Sequence, residues 1–319
     1  MESMPLADGG EGTLDVLSQA LGAEIRTVPV HDPLGRPVCA RFGIISDITA
    51  PVALVETAQA CGLPLLSKSE RNPLLADTRG VGELLKAAFD AGCRHFLIGL
   101  GGSATCDGGA GMLSVPGMKD ILRDITVRLL CDVDNPFTGP RGAARVFAPQ
   151  KGASPEDVQV LEERLEKIAA QMFKETGRDI SQAPGAGAAG GLGGAFMAYS
   201  DTVTVRGVEE VMTLVGARAR TAGADLVITG EGRSDRQTLM GKVPSGVLLM
   251  AKEAGAPTVL LSGSVSPEDE PSLKAAGFGI ITTVTPPDMP MPDALKPENA
   301  MANLRNAASK AVLKWLAER

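Results

Sequence analysis

Carboxylates set beside glycine-rich turns recur along this chain, and that pairing suits the transfer of a phosphoryl group. The turns read Ala7-Asp8-Gly9-Gly10-Glu11-Gly12-Thr13, Gly101-Gly102-Ser103-Ala104-Thr105-Cys106-Asp107-Gly108-Gly109, Gln150-Lys151-Gly152, Pro184-Gly185-Ala186-Gly187-Ala188-Ala189-Gly190-Gly191 and Thr229-Gly230-Glu231-Gly232-Arg233-Ser234-Asp235. Glycine lets backbone N–H groups approach an anion closely and adopt positive φ. A neighbouring acid can hold Mg²⁺ or accept the proton of an attacking hydroxyl, and transfer from a nucleotide needs both.

Asp235 is the first candidate for that base, because it follows an apolar strand and a Gly-Glu-Gly turn and lies two residues from Arg233. Its other reading is a helix N-cap. Asp107 and Asp8 come next, and either could bind Mg²⁺ through water; Asp8 also reads as an Asx-turn residue. Glu11 and Glu231 divide between metal shell and loop bracing, with Asp8 and Glu11 the candidate metal pair. Arg233 could grip a substrate carboxylate with its planar fork or simply lie exposed. Arg79, at a helix start, and Lys151 are further anion contacts, and Lys242 could pair with phosphate. The Gly101-Gly102-Ser103 turn offers N–H groups beside an expected helix N-terminus, and Gly230 and Gly232 offer the same. No Gly-Lys-Ser/Thr follows at P-loop spacing. His31 and His95 read as structural, one before a turn and one opening a buried strand.

The elements that must position these groups alternate. Residues 78–92 carry Val81, Leu84, Leu85, Ala88 and Phe89 at helical spacing, then 94–100 reads as a buried strand running into the Gly101 turn. Three apolar strands recur at 225–229, 257–262 and 278–284 with helical stretches between, which predicts a parallel sheet with ligands at its carboxyl ends. Residues 24–30 and 38–45 read as a hairpin around Asp32-Pro33-Leu34-Gly35. Ser154-Pro155-Glu156-Asp157 starts a long charged helix that Gly177 ends. The last helix, 298–318, places Leu304, Ala308, Ala311, Val312 and Trp315 on one stripe.

At 319 residues two domains are expected. Residues 78–118 with 203–319 are expected to form a parallel α/β domain, residues 20–77 with 119–202 an α+β domain inserted into it, and residues 1–19 a segment between them. The composition, 44% hydrophobic and 22% charged, is that of a globular protein. A net charge of −7 and 3% aromatics argue against nucleic acid and against an anionic membrane. Five scattered cysteines without a CxxC pair disfavour disulfides and zinc, and no signal peptide or membrane span is read, so a cytoplasmic location is expected.

These motifs, together with Cys131-Asp132-Val133-Asp134-Asn135-Pro136 and Pro149-Gln150-Lys151-Gly152-Ala153, resemble the type I glycerate kinases in the same order, from residue 5 to about 265. The resemblance implies a flavodoxin-like parallel-sheet domain with a second α+β domain inserted, a site between the two, and ATP- and Mg²⁺-dependent phosphorylation of D-glycerate to 2-phosphoglycerate. A homodimer is left open. Members of the family begin with an apolar strand ending in Ala-Pro-Asp-Ser-Phe-Lys and a helix, where this chain has Met1-Glu2-Ser3-Met4, and they carry a longer stretch between Met112 and Val127. The expectation from the first departure is a parallel sheet lacking a strand, and weak turnover. Alternatives are a catalytically weak or inactive binding relative, a kinase forming 3-phosphoglycerate, a kinase for another small acid, or a sugar-phosphate isomerase.

Overall fold

The Asp32–Gly35 turn closes the hairpin that its composition predicts: Asp32 Oδ1 accepts from the N–H groups of Leu34 and Arg36, both at 2.9 Å, and Gly35 takes a φ of 78°. The computed structural model to which it belongs describes residues 1–46, 50–239 and 241–318, and the chain is an α/β protein of two units, Met1–Val215 and Gly216–Arg319.

In the first unit the sheet runs in chain order: β1 (Glu24–His31), β2 (Pro37–Ile45), β3 (Val52–Glu56), β4 (His95–Gly99), β5 (Thr126–Leu130) and β6 (Asp201–Val205). The first three strands pair antiparallel and the last four parallel. Alternation along the strands divides the core. Phe96 and Ile98 join Phe42, Leu84 and Phe137 on one face, while Leu97 joins Leu14, Leu17, Leu54, Leu130 and Val211 on the other. Each such side chain taken from water contributes about 1.5–3 kcal/mol. The helix expected over 78–92 spans Arg79–Asp90. That expected at Ser154 spans Pro155–Thr176, with a Ser154–Asp157 capping box and Gly177 at φ 72° as its stop.

In the second unit β7 (Val227–Ser234), β8 (Thr258–Val265) and β9 (Phe278–Thr283) form a parallel sheet, as the three apolar runs predict. The helix Pro297–Ala317 covers one face through Ala307 and Ala311, with Trp315 partly buried against them. Leu304 of the expected stripe is 45% exposed, so the seam turns about the small residues instead. No helix among the described residues is long and apolar enough to cross a membrane.

Two expectations need correction. Strand β4 does not join the C-terminal strands: it hydrogen-bonds between β3 and β5, and β6 extends that same sheet, so the division falls at 215/216 and not around residues 78–118 and 203. The helix Arg79–Asp90 carries the chain from β3 back to the start of β4, which pairs two strands assigned from sequence to different domains. Further, the Gly230–Arg233 stretch is strand rather than loop. It pairs with β8 at Gly230↔Leu261 and Arg233↔Ser264. A Cβ at Gly230 would stand 2.4 Å from the Leu261 carbonyl oxygen, so glycine serves close strand approach there.

Candidate functional site

Parallel pairing aligns Glu56, Gly99, Leu130 and Val205 in one row at the carboxyl ends of β3 to β6. Chain leaving a sheet at that row is where an open α/β fold places ligand groups. A cleft of about 240 Å³ lies there, lined among others by Asp8, Gly101, Ser103, Asp132 and Lys151.

The Ala7–Thr13 loop is held on the strand ends by backbone contact. Gly101 N–H donates to Gly9 O at 3.1 Å, and a Cβ at Gly99 would lie 2.5 Å from that same oxygen. Asp8 Oδ1 accepts from Gly10 N–H at 3.1 Å. Glu56, 2% exposed, accepts the N–H groups of Gly12 and Leu14 at 3.1 and 3.2 Å, tying the start of the helix Thr13–Leu21 to the end of β3. Burial raises its carboxyl above the ordinary range, and these N–H groups pull it partly back.

Lys151 is only 3% exposed and lines the same cleft. Its Nζ donates to Ser103 Oγ at 2.8 Å and Thr105 O at 2.7 Å, which uses two of three donors. Among the described residues it has no carboxylate partner. Burial lowers its pKa, and burial also pushes the neighbouring Cys61 thiol up to about 12 and the Cys106 thiol up to about 11. Those thiols remain neutral, and the Asp107 carboxylate acts on Lys151 only through space, without an ion pair. A buried lysine that lines a cleft and lacks an ion-pair partner is a binding group for an anion.

The expected cradle at Gly101-Gly102-Ser103 lines the cleft, with Gly102 at φ 79°. It does not sit at a helix N-terminus, because the next helix starts only at Ala110. Lys151 supplies the positive charge expected of a helix dipole. Asp132 also lines this cleft and was not among the sequence candidates. It follows β5 as Gly101 follows β4, so the rule that pointed to Gly101 points equally to it.

Other candidates serve as braces. Asp107 accepts from Thr78 N–H, Thr78 Oγ1, Gly109 N–H and Gly111 N–H at 2.8–3.2 Å, joining the starts of helices Arg79–Asp90 and Ala110–Ser114. It is not among the residues lining the cleft. Asp107→Ala is expected to cost about 3 kcal/mol, since it strands several enclosed donors. Urea denaturation checks this, and an unchanged midpoint at equal slope would refute the bracing role. Arg79 pairs with Glu83 at 3.0 Å and is 54% exposed, also outside the cleft.

In the second unit Glu231 Oε1 accepts from Ser234 Oγ at 2.8 Å and Thr238 Oγ1 at 2.6 Å. Asp235 Oδ1 accepts Gln237 N–H at 2.8 Å from just ahead of the 3₁₀ turn Arg236–Leu239, the place of the helix N-cap that was its alternative reading. Arg233 is 74% exposed, 3.7 Å from Asp235. Gly230 and Gly232 are strand residues, and Lys242 precedes the helix Val243–Glu253. As for a metal, Glu11 is exposed, and among the described residues no three His, Cys, Asp or Glu side chains gather into a cation site.

The profile of the glycerate kinase family matches residues 1–121 and 114–316. The glycerate kinase of Bacillus subtilis (strain 168) is 40% identical over 321 residues, covering 92% of this chain and 83% of that protein. The glycerate 2-kinase of Escherichia coli (strain K12) is 39% identical over 292 residues, covering 83% and 76% respectively. The crystal structure of a protein assigned as glycerate kinase 2 from Salmonella typhimurium LT2 superposes with a TM-score of 0.78 at 36% identity, over 99% of this chain and 89% of that one. The match of fold, length and sequence places this chain in the glycerate kinase family.

Proposed function

We propose that the chain transfers the γ-phosphoryl group of ATP to D-glycerate and forms 2-phosphoglycerate. The observation that carries this reading is the cleft itself, lined by a buried lysine without an ion-pair partner, a glycine turn, and the carboxylates of Asp8 and Asp132. Such a cleft accepts a molecule that is anionic at one end and carries a hydroxyl at the other. Lys151, with the Gly101-Gly102-Ser103 turn, holds the anionic group and orients it. A carboxylate facing the hydroxyl relieves it of its proton as the bond to phosphorus forms. Attack at C2 is supported by the name of the Escherichia coli relative.

ATP supplies the phosphoryl group when bound, and Mg²⁺ would arrive on its phosphates, since kinase sites hold that ion with few protein ligands. The reading assigns no step to Glu231, Arg233, Asp235 or Lys242. The five free thiols support a reducing, cytoplasmic setting.

The test is a coupled assay with enolase and pyruvate kinase and no phosphoglycerate mutase. D-glycerate and ATP are expected to give signal directly. Signal that appears only after mutase is added would place the phosphoryl group on C3, and no glycerate-dependent ADP release would overturn the reading.

A further inference from the structure

We propose that Asp132 is the catalytic base of this reaction, its Oδ2 taking the proton of the acceptor hydroxyl. The inference rests on the reading of the cleft as a glycerate kinase site. The two oxygens of Asp132 differ. Oδ1 accepts from Gly207 N–H at 2.9 Å, which fixes the carboxylate against the first residue of the helix Gly207–Leu214. Oδ2 has no hydrogen-bond donor among the described residues and belongs to a side chain lining the cleft that Lys151 and Ser103 also line. Gly207 is part of this device. A Cβ there would stand 2.1 Å from the Asp8 carbonyl oxygen and 3.1 Å from Asp132 Oδ2, so only glycine lets the loop, the helix start and the carboxylate close together.

Glu56 and Asp107 are occupied by backbone N–H groups and lie outside the cleft lining, whereas Asp8 lines the cleft as well, with its Oδ1 turned to Gly10 N–H of its own loop.

The environment also suits the role. Asp132 is an exposed residue, yet the groups packed around its carboxylate strip part of its hydration and push its pKa up to about 6. Gly207 N–H opposes that shift, the charges of Asp8 and Glu209 add to it, and Arg206 opposes it. Lys151 lines the same cleft. A base with a pKa near the working pH combines a large deprotonated fraction with useful basicity. In the step, the acceptor O–H bond breaks and its proton passes to Oδ2. The hydroxyl oxygen bonds to the γ-phosphorus of ATP, and the bond from that phosphorus to the β,γ-bridging oxygen breaks with its electron pair leaving on ADP. Asp132 then returns the proton to water.

Asp132→Asn keeps shape and one acceptor oxygen but cannot take the proton. It is expected to lower kcat at least about a hundredfold with the KM for glycerate within about threefold. In the parent, kcat/KM is expected to fall below about pH 6, where Asp132 is protonated, and the residual activity of the variant is expected to lack that limb. Carboxyl ¹³C titration of the free parent chain is expected to show one resonance with a midpoint near 6 that is missing from the variant. A kcat within fivefold of the parent, a loss restored by saturating Mg²⁺, or a parent whose kcat/KM has no acidic limb would each overturn the assignment. Because the pH profile and the titration use the parent, a variant that failed to fold would leave the proposal testable. A parent without glycerate-dependent ADP release would instead overturn the kinase reading, and this assignment with it.

Discussion

Replacing Lys151 by methionine is expected to lower kcat/KM for D-glycerate by about a hundredfold or more while leaving the fold intact. The ammonium is buried, donates to Ser103 Oγ and Thr105 O, and has no carboxylate partner among the described residues. Truncating one member of a buried charge pair costs about 2–5 kcal/mol, and here the other member is the bound anion. In the free protein the same substitution removes an unpaired buried charge, which relieves desolvation, and leaves one carbonyl without a donor, which costs about 1 kcal/mol. The two effects offset each other, so Tm should move by only a few degrees.

A purely structural lysine would behave in the opposite way, losing stability and keeping affinity. The decisive measurement is the rise in Tm on adding D-glycerate or inorganic phosphate. At a hundred times Kd the parent should gain about 2.7 kcal/mol, and Lys151→Met should gain little. Equal ligand-induced shifts in the two proteins would remove Lys151 from the site. The pH dependence has a definite sign. Burial lowers the Lys151 pKa, so anion affinity should decline as pH rises through that lowered value, where the free side chain gives up its charge.

The features legible in the sequence are those that local chemistry dictates. Asp32, Pro33 and Gly35 specify the hairpin turn, and Ser154, Pro155, Asp157 and Gly177 bound the long helix. The apolar run ahead of Gly101 marks β4 and its carboxyl end. Features that depend on distant pairing were not legible. Phe96, Leu97 and Ile98 would suit a buried strand in either sheet, and nothing local to them selects β3 as the neighbour. The Gly230-Glu231-Gly232 string has the composition of a phosphate loop, yet Gly230 lies in a strand where its bare Cα meets Leu261.

The carboxylates divide in the same way. Asp8 and Asp107 stand beside glycine in sequence and Asp235 follows a Gly-Glu-Gly turn, but Asp107 is surrounded by N–H groups from two helix starts and Asp235 closes a turn. Only folding shows which acids keep an oxygen free above the strand ends. Asp132 has no glycine beside it, since Gly207 reaches it from 75 positions away. The burial of Lys151 could not be read from the Gln150-Lys151-Gly152 string, because the groups that enclose it, Ser103 and Thr105, belong to another loop.

Gly101→Ala is expected to be the most damaging single-methyl change in the cleft, removing activity by about a hundredfold and costing about 3 kcal/mol of stability. A Cβ there would stand 2.4 Å from Gly10 Cα and 3.1 Å from Gly10 N, closer than two non-bonded atoms approach. The obstruction is backbone, so no rotamer change relieves it. To make room, the Ala7–Thr13 loop must lift from the end of β4, which breaks the 3.1 Å hydrogen bond from Gly101 N–H to Gly9 O. That loop carries Asp8 into the cleft and leads into the helix whose first N–H groups Glu56 holds. Its displacement therefore reaches both the site and the core. Gly177→Ala is the matched control: its φ of 72° disfavours a side chain, but the space around it is open and it only ends a helix. It should cost about 1 kcal/mol, the conformational penalty alone, with turnover near the parent. Urea denaturation and glycerate-dependent ADP release on the two variants read the difference, and a Gly101→Ala protein as active as Gly177→Ala would show that the loop and the strand end need no such close contact.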